Sequence, residues 1–120
     1  MNTQAEQLLQ SLEPLVALTA DGQVAVLKNI GNSEDLIIAC LVAQNLAHQM
    51  GKASKQTMSV DDLIAAGGLA HRVARQTVYN STSALAKSRI IQKRGNEFCV
   101  DERAILQFVS ARLPHLVKDR

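Results

Sequence analysis

A polar helix followed by a β-hairpin is the most distinctive pattern in the chain, and it occupies residues 75–100, RQTVYNSTSALAKSRIIQKRGNEFCV. The first part predicts a helix that ends near Lys87, because its apolar residues recur at helical spacing. Two runs rich in β-branched and aromatic residues, Ile90–Lys93 and Glu97–Val100, then flank Arg94-Gly95-Asn96, which is a hairpin signal. The residues expected to face the core from this helix are Val78, Ala84, Leu85 and Ala86. Those expected on its other faces are Thr77, Asn80, Ser81 and Ser83.

Two capped helices are predicted before this stretch. Asn32-Ser33-Glu34-Asp35 supplies a capping residue and first-turn acids for a helix that runs to about Met50. Apolar residues cover most of its circumference, so we expect it to be the most buried helix. Ser59-Val60-Asp61-Asp62 caps a second helix, Asp61–Ala66, and Gly67-Gly68 ends it.

The N-terminal third carries weaker signals. Residues 3–18 have apolar positions at mostly helical spacing, and Pro14 is expected to break or kink that helix. After the turn signal Asp21-Gly22, Val24–Ile30 predicts a second short helix, although Val24–Val26 alone is also compatible with a strand.

The C-terminal segment predicts one further helix. Asp101 is its expected cap, Glu102–Leu113 carries its apolar side, and Pro114 is expected to end or kink it. The predicted fold is therefore mainly α with a small β-hairpin. Its expected divisions are an N-terminal helical extension (1–32), a central domain (33–100) and a C-terminal helix (101–120).

Charge is distributed unevenly along the 120 residues. The formal net charge is +2, but residues 1–66 carry −4, residues 67–100 carry +5 and residues 101–120 carry +1. Cations are thus concentrated on the predicted polar helix and hairpin. A basic face of this kind favours a polyanionic partner.

The order of elements over residues 34–100 resembles a winged helix-turn-helix domain. Residues 59–69, SVDDLIAAGGL, resemble the second helix and turn of that family. Residues 75–80, RQTVYN, resemble the start of its recognition helix, and residues 85–100 resemble the end of that helix and the wing. The resemblance covers about half of the chain and implies a sequence-specific protein for double-stranded DNA, most simply a transcriptional regulator.

Two departures from the family pattern stand out. The turn before the recognition helix is lengthened by residues 70–74, so an alternative start of this helix lies near His71. Ser88-Arg89 follows the helix where the family usually has glycine, and this predicts strain in the turn.

Candidate DNA-binding residues follow from this resemblance and from groove chemistry. Arg75 suits guanine and Gln76 suits adenine in the major groove, where base edges are distinguishable. Gln76, Asn80, Ser83 and Lys87 share one face at helical spacing. For Tyr79, packing against the wing and facing DNA are both open. The complete candidate set is Arg72, Arg75, Gln76, Thr77, Tyr79, Asn80, Ser83 and Lys87 around the helix, with Lys93, Arg94 and Asn96 in the wing. Arg72 and Lys87 are expected to contact phosphates.

Enzymatic and metal chemistry are not expected. Gly67-Gly68 lacks the Gly-Lys-Ser/Thr continuation of a phosphate loop, and no nucleophile elbow or His-Glu-x-x-His occurs. The acidic pairs lie at helix N-termini, where the helix dipole accounts for them. His71 is expected to cap or to contact a phosphate. No metal and no cofactor is predicted.

The two cysteines point to a reducing compartment, and the expected location is the cytoplasm. Cys40 is a predicted core residue. Strand alternation predicts that one of Phe98 and Cys99 is exposed. A redox role for Cys99 is a minor alternative. No apolar run is long enough for a membrane helix, and no secretory signal is recognised.

Two partners besides DNA are expected: a second copy of the chain and another protein. The terminal helices are expected to form a two-fold homodimer, with packing on their own core as the alternative. Two functional alternatives to a regulator are a DNA-segregation adaptor on the same fold and an interaction module without DNA binding. The acidic N-terminal part is a candidate surface for a protein partner.

Overall fold

Helices make up most of the chain in the computed structural model, which describes residues 3–68 and 72–118. The prediction of a mainly α protein is confirmed. The helices are α1 (Thr3–Leu12), α2 (Ser33–Gln49), α3 (Val60–Gly67), α4 (Arg75–Lys87), α5 (Glu102–Gln107) and α6 (Leu113–Lys118). The strands are β1 (Val16–Leu18), β2 (Val24–Val26), β3 (Met58–Ser59), β4 (Gln92–Arg94) and β5 (Glu97–Cys99). None of the described helices is long and apolar enough to cross a membrane.

The central element is α2, and its burial is as predicted. Asn32 caps it, because its side chain accepts hydrogen bonds from the backbone N–H groups of Glu34 and Asp35 at 2.8 and 3.2 Å. Helices α1, α3 and α4 and strands of both sheets pack around it. Two buried amides on α2 hold other segments: Gln44 donates to the carbonyl of Lys55 at 2.7 Å, and Asn45 donates to that of Val100 at 2.8 Å.

Helices α3 and α4 lie where the sequence predicts them. Ser59 and Asp62 form a reciprocal capping box at the start of α3. The core face of α4 is partly different from the prediction, because Ala84 is exposed whereas Ser81 and Thr82 are buried. Burial of these hydroxyls is tolerated because each has a partner: Ser81 bonds to Ser33 at 2.9 Å, and Thr82 donates to the carbonyl of Val78 at 2.8 Å.

The predicted hairpin belongs to a three-stranded antiparallel sheet with the order β3-β5-β4. Arg94 lies in β4 and not in the turn. Strand β3 is absent from the sequence-based prediction, and its Met58 pairs with Phe98 of β5. The expected exposure of Phe98 or Cys99 is wrong: both are buried, because β5 is the middle strand and the chain covers both of its faces.

The predicted second helix near the N-terminus is also wrong. Residues 16–18 and 24–26 form a two-stranded antiparallel sheet, so the strand alternative for Val24–Val26 is correct. The intervening turn needs Gly22, whose φ is +81° and whose missing side chain leaves room for the carbonyl of Lys52. Helix α1 ends before Pro14, as predicted.

The C-terminal helix begins as predicted but passes through Pro114 without ending. Asp101 caps α5 by accepting from the N–H of Ala104 at 2.9 Å. A π-helical stretch, Phe108–Arg112, joins α5 to α6. It ends two residues before Pro114, which has no backbone N–H to donate and whose ring would crowd the carbonyl one turn earlier in a regular α-helix.

Both ends of the chain contribute to one hydrophobic core. Leu12, Leu15 and Val16 near the N-terminus are fully buried. Ile105 and Phe108 near the C-terminus are almost fully buried. They join the buried face of α2 in one cluster. The Lys28 ammonium also donates to the carbonyl of Leu116 at 3.2 Å, which links the N-terminal sheet to α6.

Candidate nucleic-acid interface

Helix α4 presents a polar face to solvent. Val78 and Leu85 anchor its inner face in the core. All eight predicted DNA-binding residues on or beside this helix are exposed: Arg72, Arg75, Gln76, Thr77, Asn80, Ser83 and Lys87, together with Tyr79 at 49%. Burial of Tyr79 in the core is therefore excluded. Gln76 donates to the side-chain oxygen of Asn80 at 3.0 Å, so one turn of this face is already ordered.

The hairpin forms one wall of a groove beside α4. This groove has a volume of about 380 Å³ and also contacts the start of α3. Five predicted residues line it, namely Arg75, Tyr79, Ser83, Lys93 and Asn96. The other candidates, Arg72, Gln76, Thr77, Asn80, Lys87 and Arg94, lie outside it.

Arg75 is paired in a way that the sequence did not predict. Its guanidinium lies 2.5 Å from a carboxylate oxygen of Asp61, which is in the first turn of α3. Both side chains are exposed, at 56% and 75%. The hydrogen bond and the charge of Asp61 raise the pKa of Arg75. The pair connects the starts of α3 and α4, and because both side chains are exposed it contributes little to stability.

The N-terminus of α4 lacks the features that stabilise the starts of α2, α3 and α5. Its N-cap is Ala74, which has no side-chain hydrogen bond, and its first turn holds the cation Arg75 and no acid. By contrast α2, α3 and α5 have a polar N-cap and acids in the first turn. No N-cap side chain accepts from the first N–H groups of α4, and the acid at this end is Asp61 of α3, which pairs with Arg75.

Residue His71 lies outside the described residues. The alternative start of the helix there is not what the structure shows, since Ala74 is extended and α4 begins at Arg75. The long connection after Gly67 agrees with the lengthened turn in the sequence.

Four cations on or beside α4 and the hairpin form no intramolecular ion pair among the described residues: Arg72, Lys87, Lys93 and Arg94. Two acidic residues, Glu97 of β5 and Asp62 of α3, are instead paired with Lys55. Its ammonium lies 3.0 Å from Glu97 and 3.1 Å from Asp62. The positive charge of the hairpin thus remains available to a partner.

Lys55, Thr57, Asp62 and Glu97 form a cluster that fixes the hairpin to α3, and sequence reasoning missed it. The Thr57 hydroxyl donates to Glu97. This hydrogen bond, and then the Lys55 ammonium, lower the pKa of Glu97. Partial burial acts to raise the pKa of Asp62, but the Ser59 N–H and Lys55 outweigh it and the net pKa is lowered. The Ser59–Asp62 cap is the one part of this cluster that a local sequence pattern indicates. Thr57 and Glu97 are forty residues apart, so no local pattern predicts their contact.

The turn after α4 is strained, as the missing glycine predicts. Arg89 has a φ of +63°, in the left-handed region that favours glycine. The N–H of Arg89 donates to the carbonyl of Ala86 at 3.1 Å, and that of Ile90 to Leu85 at 3.0 Å. These two bonds define a Schellman motif, which requires the left-handed residue at this position.

The described residues contain no group of His, Cys, Asp and Glu side chains arranged to hold a metal ion. Burial raises the pKa of the Cys40 thiol to about 12, as fits a core residue.

Neither a known protein family, nor a curated protein, nor a solved structure matches this chain. The similarity to winged helix-turn-helix domains therefore stays a prediction.

Proposed function

We propose that the protein binds double-stranded DNA in a sequence-specific manner, as a transcriptional regulator. One observation carries the proposal: Arg75, Tyr79 and Ser83 of α4 and Lys93 and Asn96 of the hairpin line the same groove. An α-helix fits the major groove of B-DNA, and a hairpin beside it is placed to follow the neighbouring backbone or minor groove.

The topology supports this proposal. The sequence of elements is α2, β3, α3, α4, β4 and β5, with the sheet order β3-β5-β4. This is the order expected of a winged helix-turn-helix domain with α4 as recognition helix and β4–β5 as wing. The two free, buried cysteines agree with a reducing compartment such as the cytoplasm.

The exposed start of α4 gives independent support. A helix N-terminus with free N–H groups and a cation attracts phosphate oxygens. Helices α2, α3 and α5 each have a capping side chain and an acid in the first turn, whereas α4 has neither. A phosphate at this end would replace the missing cap.

In the proposed mechanism α4 reads base edges and the flanking cations hold the backbone. Gln76 and Asn80, already joined by a hydrogen bond, present amide groups suited to adenine. Arg75 leaves Asp61 and contacts guanine, while Thr77, Tyr79 and Ser83 supply further polar contacts. Arg72, Lys87, Lys93, Arg94 and Asn96 contact phosphates and the groove beside the wing.

A homodimer is part of the same proposal. Leu106 on α5 is 45% exposed, and Val109 is only partly buried beside it, so an apolar strip remains on the C-terminal segment. Pairing two copies would let two α4 helices read successive turns of the duplex. Light scattering at tens of micromolar should give twice the 13.0 kDa chain mass, and a monomer mass would contradict this part.

The experiment that tests DNA binding compares two double variants with the same loss of charge. Lys93→Ala/Arg94→Ala removes the cations of the wing, and Lys52→Ala/Arg103→Ala removes two exposed cations outside the groove. Binding of random-sequence duplex DNA is measured by fluorescence anisotropy at several salt concentrations. We expect steep salt dependence for the native chain, and a slope smaller by about 2 for the wing variant.

The control variant should keep a slope closer to that of the native chain. Equal affinities and slopes for the two double variants would contradict an interface at the wing. Weak binding by the native chain that does not depend on salt would contradict DNA binding altogether.

A further inference from the structure

Asp61 is an acidic residue in a groove that we assign to a polyanion. It is the one carboxylate among the described residues that line the groove beside α4, and the cations there are Arg75 and Lys93. Like charges that meet across an interface repel each other, so a carboxylate at this place lowers the affinity for phosphate. Its presence therefore calls for a role other than attracting DNA.

The start of α3 does not depend on Asp61. Ser59 and Asp62 form the reciprocal capping box of this helix, and Asp62 also supplies a first-turn acid for the helix dipole. The Asp61 side chain is 75% exposed. The contact that the structure gives its carboxylate is the hydrogen bond from Arg75, so Arg75 is the residue on which Asp61 acts.

The pair alters what Arg75 offers to DNA. The terminal nitrogen Nη2 of its guanidinium donates to Asp61 at 2.5 Å, and the carboxylate balances its positive charge. The hydrogen bond and the charge of Asp61 raise the pKa of Arg75, and the Tyr79 side chain acts in the same direction. In the free chain Arg75 is therefore occupied, whereas Lys93 of the hairpin forms no ion pair among the described residues.

Phosphate and guanine bring different charges to this pair. A phosphate that binds Arg75 also places a negative charge beside Asp61, and the two anions repel each other. The guanine acceptors O6 and N7 carry no formal charge, and together they accept two hydrogen bonds from one guanidinium. Displacing Asp61 is thus less unfavourable for guanine than for phosphate. The backbone N–H groups at the start of α4 are separate donors that a phosphate can still use.

We propose that Asp61 is a built-in competitor of DNA for Arg75, and that it determines specificity by lowering the affinity for random sequence more than for a site that presents guanine. On random DNA the pair stays closed and Arg75 contributes little. At guanine the guanidinium leaves Asp61 and binds the base edge. This inference rests on the proposed function, because it concerns the same groove.

Removal of the competitor is tested with Asp61→Asn, which keeps the size of the side chain and deletes its charge. The control Glu6→Gln deletes one exposed acid of α1, outside the groove. Binding of random-sequence duplex DNA is measured by fluorescence anisotropy at several salt concentrations, and thermal unfolding verifies that both variants fold. We expect Asp61→Asn to bind about 5–10-fold more tightly at about 0.1 M salt, with a slope steeper by about 1, because Arg75 gains a phosphate. Glu6→Gln should match the native chain within about 2-fold.

The same substitution in a chain without Arg75 separates competition from general repulsion. In an Arg75→Gln background, Asp61→Asn should tighten binding by less than about 2-fold, since no guanidinium is released. An equal gain in the two backgrounds would show that Asp61 acts only through its charge. No gain in the native background would show that Asp61 does not compete, and either result would overturn the proposal.

The effect on specificity is measured with a duplex that the native chain enriches from a randomised pool. The ratio of the affinity for this duplex to that for random DNA should fall about 5–10-fold in Asp61→Asn and stay unchanged in Glu6→Gln. An unchanged ratio in Asp61→Asn would contradict a role in specificity.

Failure of the competitor and failure of the proposed function give different results. Binding by Asp61→Asn but not by the native chain would support the competitor and contradict DNA binding as the function of the native chain. Native binding with steep salt dependence and no change in Asp61→Asn would contradict the competitor alone. No salt-dependent binding by either protein would contradict both.

Discussion

At the scale of single residues, Arg89 is the clearest conflict between sequence and backbone. Its left-handed conformation is required by the Schellman motif at the end of α4. Arg89→Gly should therefore raise the free energy of unfolding by about 1 kcal/mol, measured by urea denaturation. Arg89→Ala removes the same charge but keeps the Cβ atom, so it should not stabilise. Equal stabilities of the two variants would argue against strain at this turn.

Asn45 is a buried polar residue whose contribution can be measured separately. It is 2% exposed, and its amide satisfies the carbonyl of Val100 at the end of β5. Asn45→Ala should lower the free energy of unfolding by about 1–3 kcal/mol, because a buried carbonyl loses its donor. The exposed Gln10→Ala on α1 serves as control and should change it by less than about 0.5 kcal/mol. A loss no larger than that of the control would mean that another donor replaces Asn45.

At the scale of elements, the cluster around Lys55 makes the attachment of the hairpin dependent on pH. Glu97 and Asp62 have pKa values below their ordinary 4.5 and 3.8 in the folded chain. Their stabilising contribution is complete above the ordinary values and is lost as the pH falls through the lowered ones. Glu97→Gln should therefore lose less stability than the native chain between about pH 6 and about pH 3. The exposed Glu6→Gln should retain the native dependence, and an identical pH profile for Glu97→Gln would contradict the role of this cluster.

Substitutions at the uncapped start of α4 can distinguish an effect on the stability of the fold from an effect on DNA binding. Ala74 has the extended backbone of an N-cap but no capping side chain. Both Ala74→Ser and Ala74→Asp should stabilise the fold by about 1 kcal/mol, measured by thermal unfolding. If DNA phosphate occupies this end, Ala74→Asp should weaken DNA binding strongly, because it adds a negative charge there, and Ala74→Ser should weaken it less. DNA affinity that is unchanged in both variants would exclude a phosphate at this position.

What the sequence could predict at this scale depends on how local the signal is. The caps at Asn32, Ser59 and Asp101 are correct because each involves residues two or three positions away. Strand β3 was missed because its two residues are specified by pairing with β5, far along the chain. The burial of Ser81 escaped prediction for the same reason, since its partner Ser33 lies on α2.

At the scale of the whole molecule, the central region does not stand alone. Residues 33–100 lack Leu12, Leu15 and Val16, which are fully buried in the shared core, and also Ile105 and Phe108. Each such side chain contributes about 1.5–3 kcal/mol on burial, so their joint loss rivals the total stability of a typical domain. We expect a fragment of residues 33–100 to show no cooperative thermal transition by circular dichroism, whereas residues 3–118 unfold cooperatively. A cooperative transition in the shorter fragment would show that the ends are dispensable.

The position of α2 at the centre has a consequence for the motions of the chain. Elements from both ends and from both sheets cover this helix, and buried residues occur along nearly its whole length. Its amide hydrogens can reach solvent deuterium only when several of those elements separate together, so they should exchange at the rate of global unfolding. The first turn of α4 has no side-chain cap and its residues 75–77 are exposed, so it should exchange by local fraying many orders of magnitude sooner. The start of α4, which is one part of the surface that we assign to DNA, should therefore open far more often than the centre of the molecule.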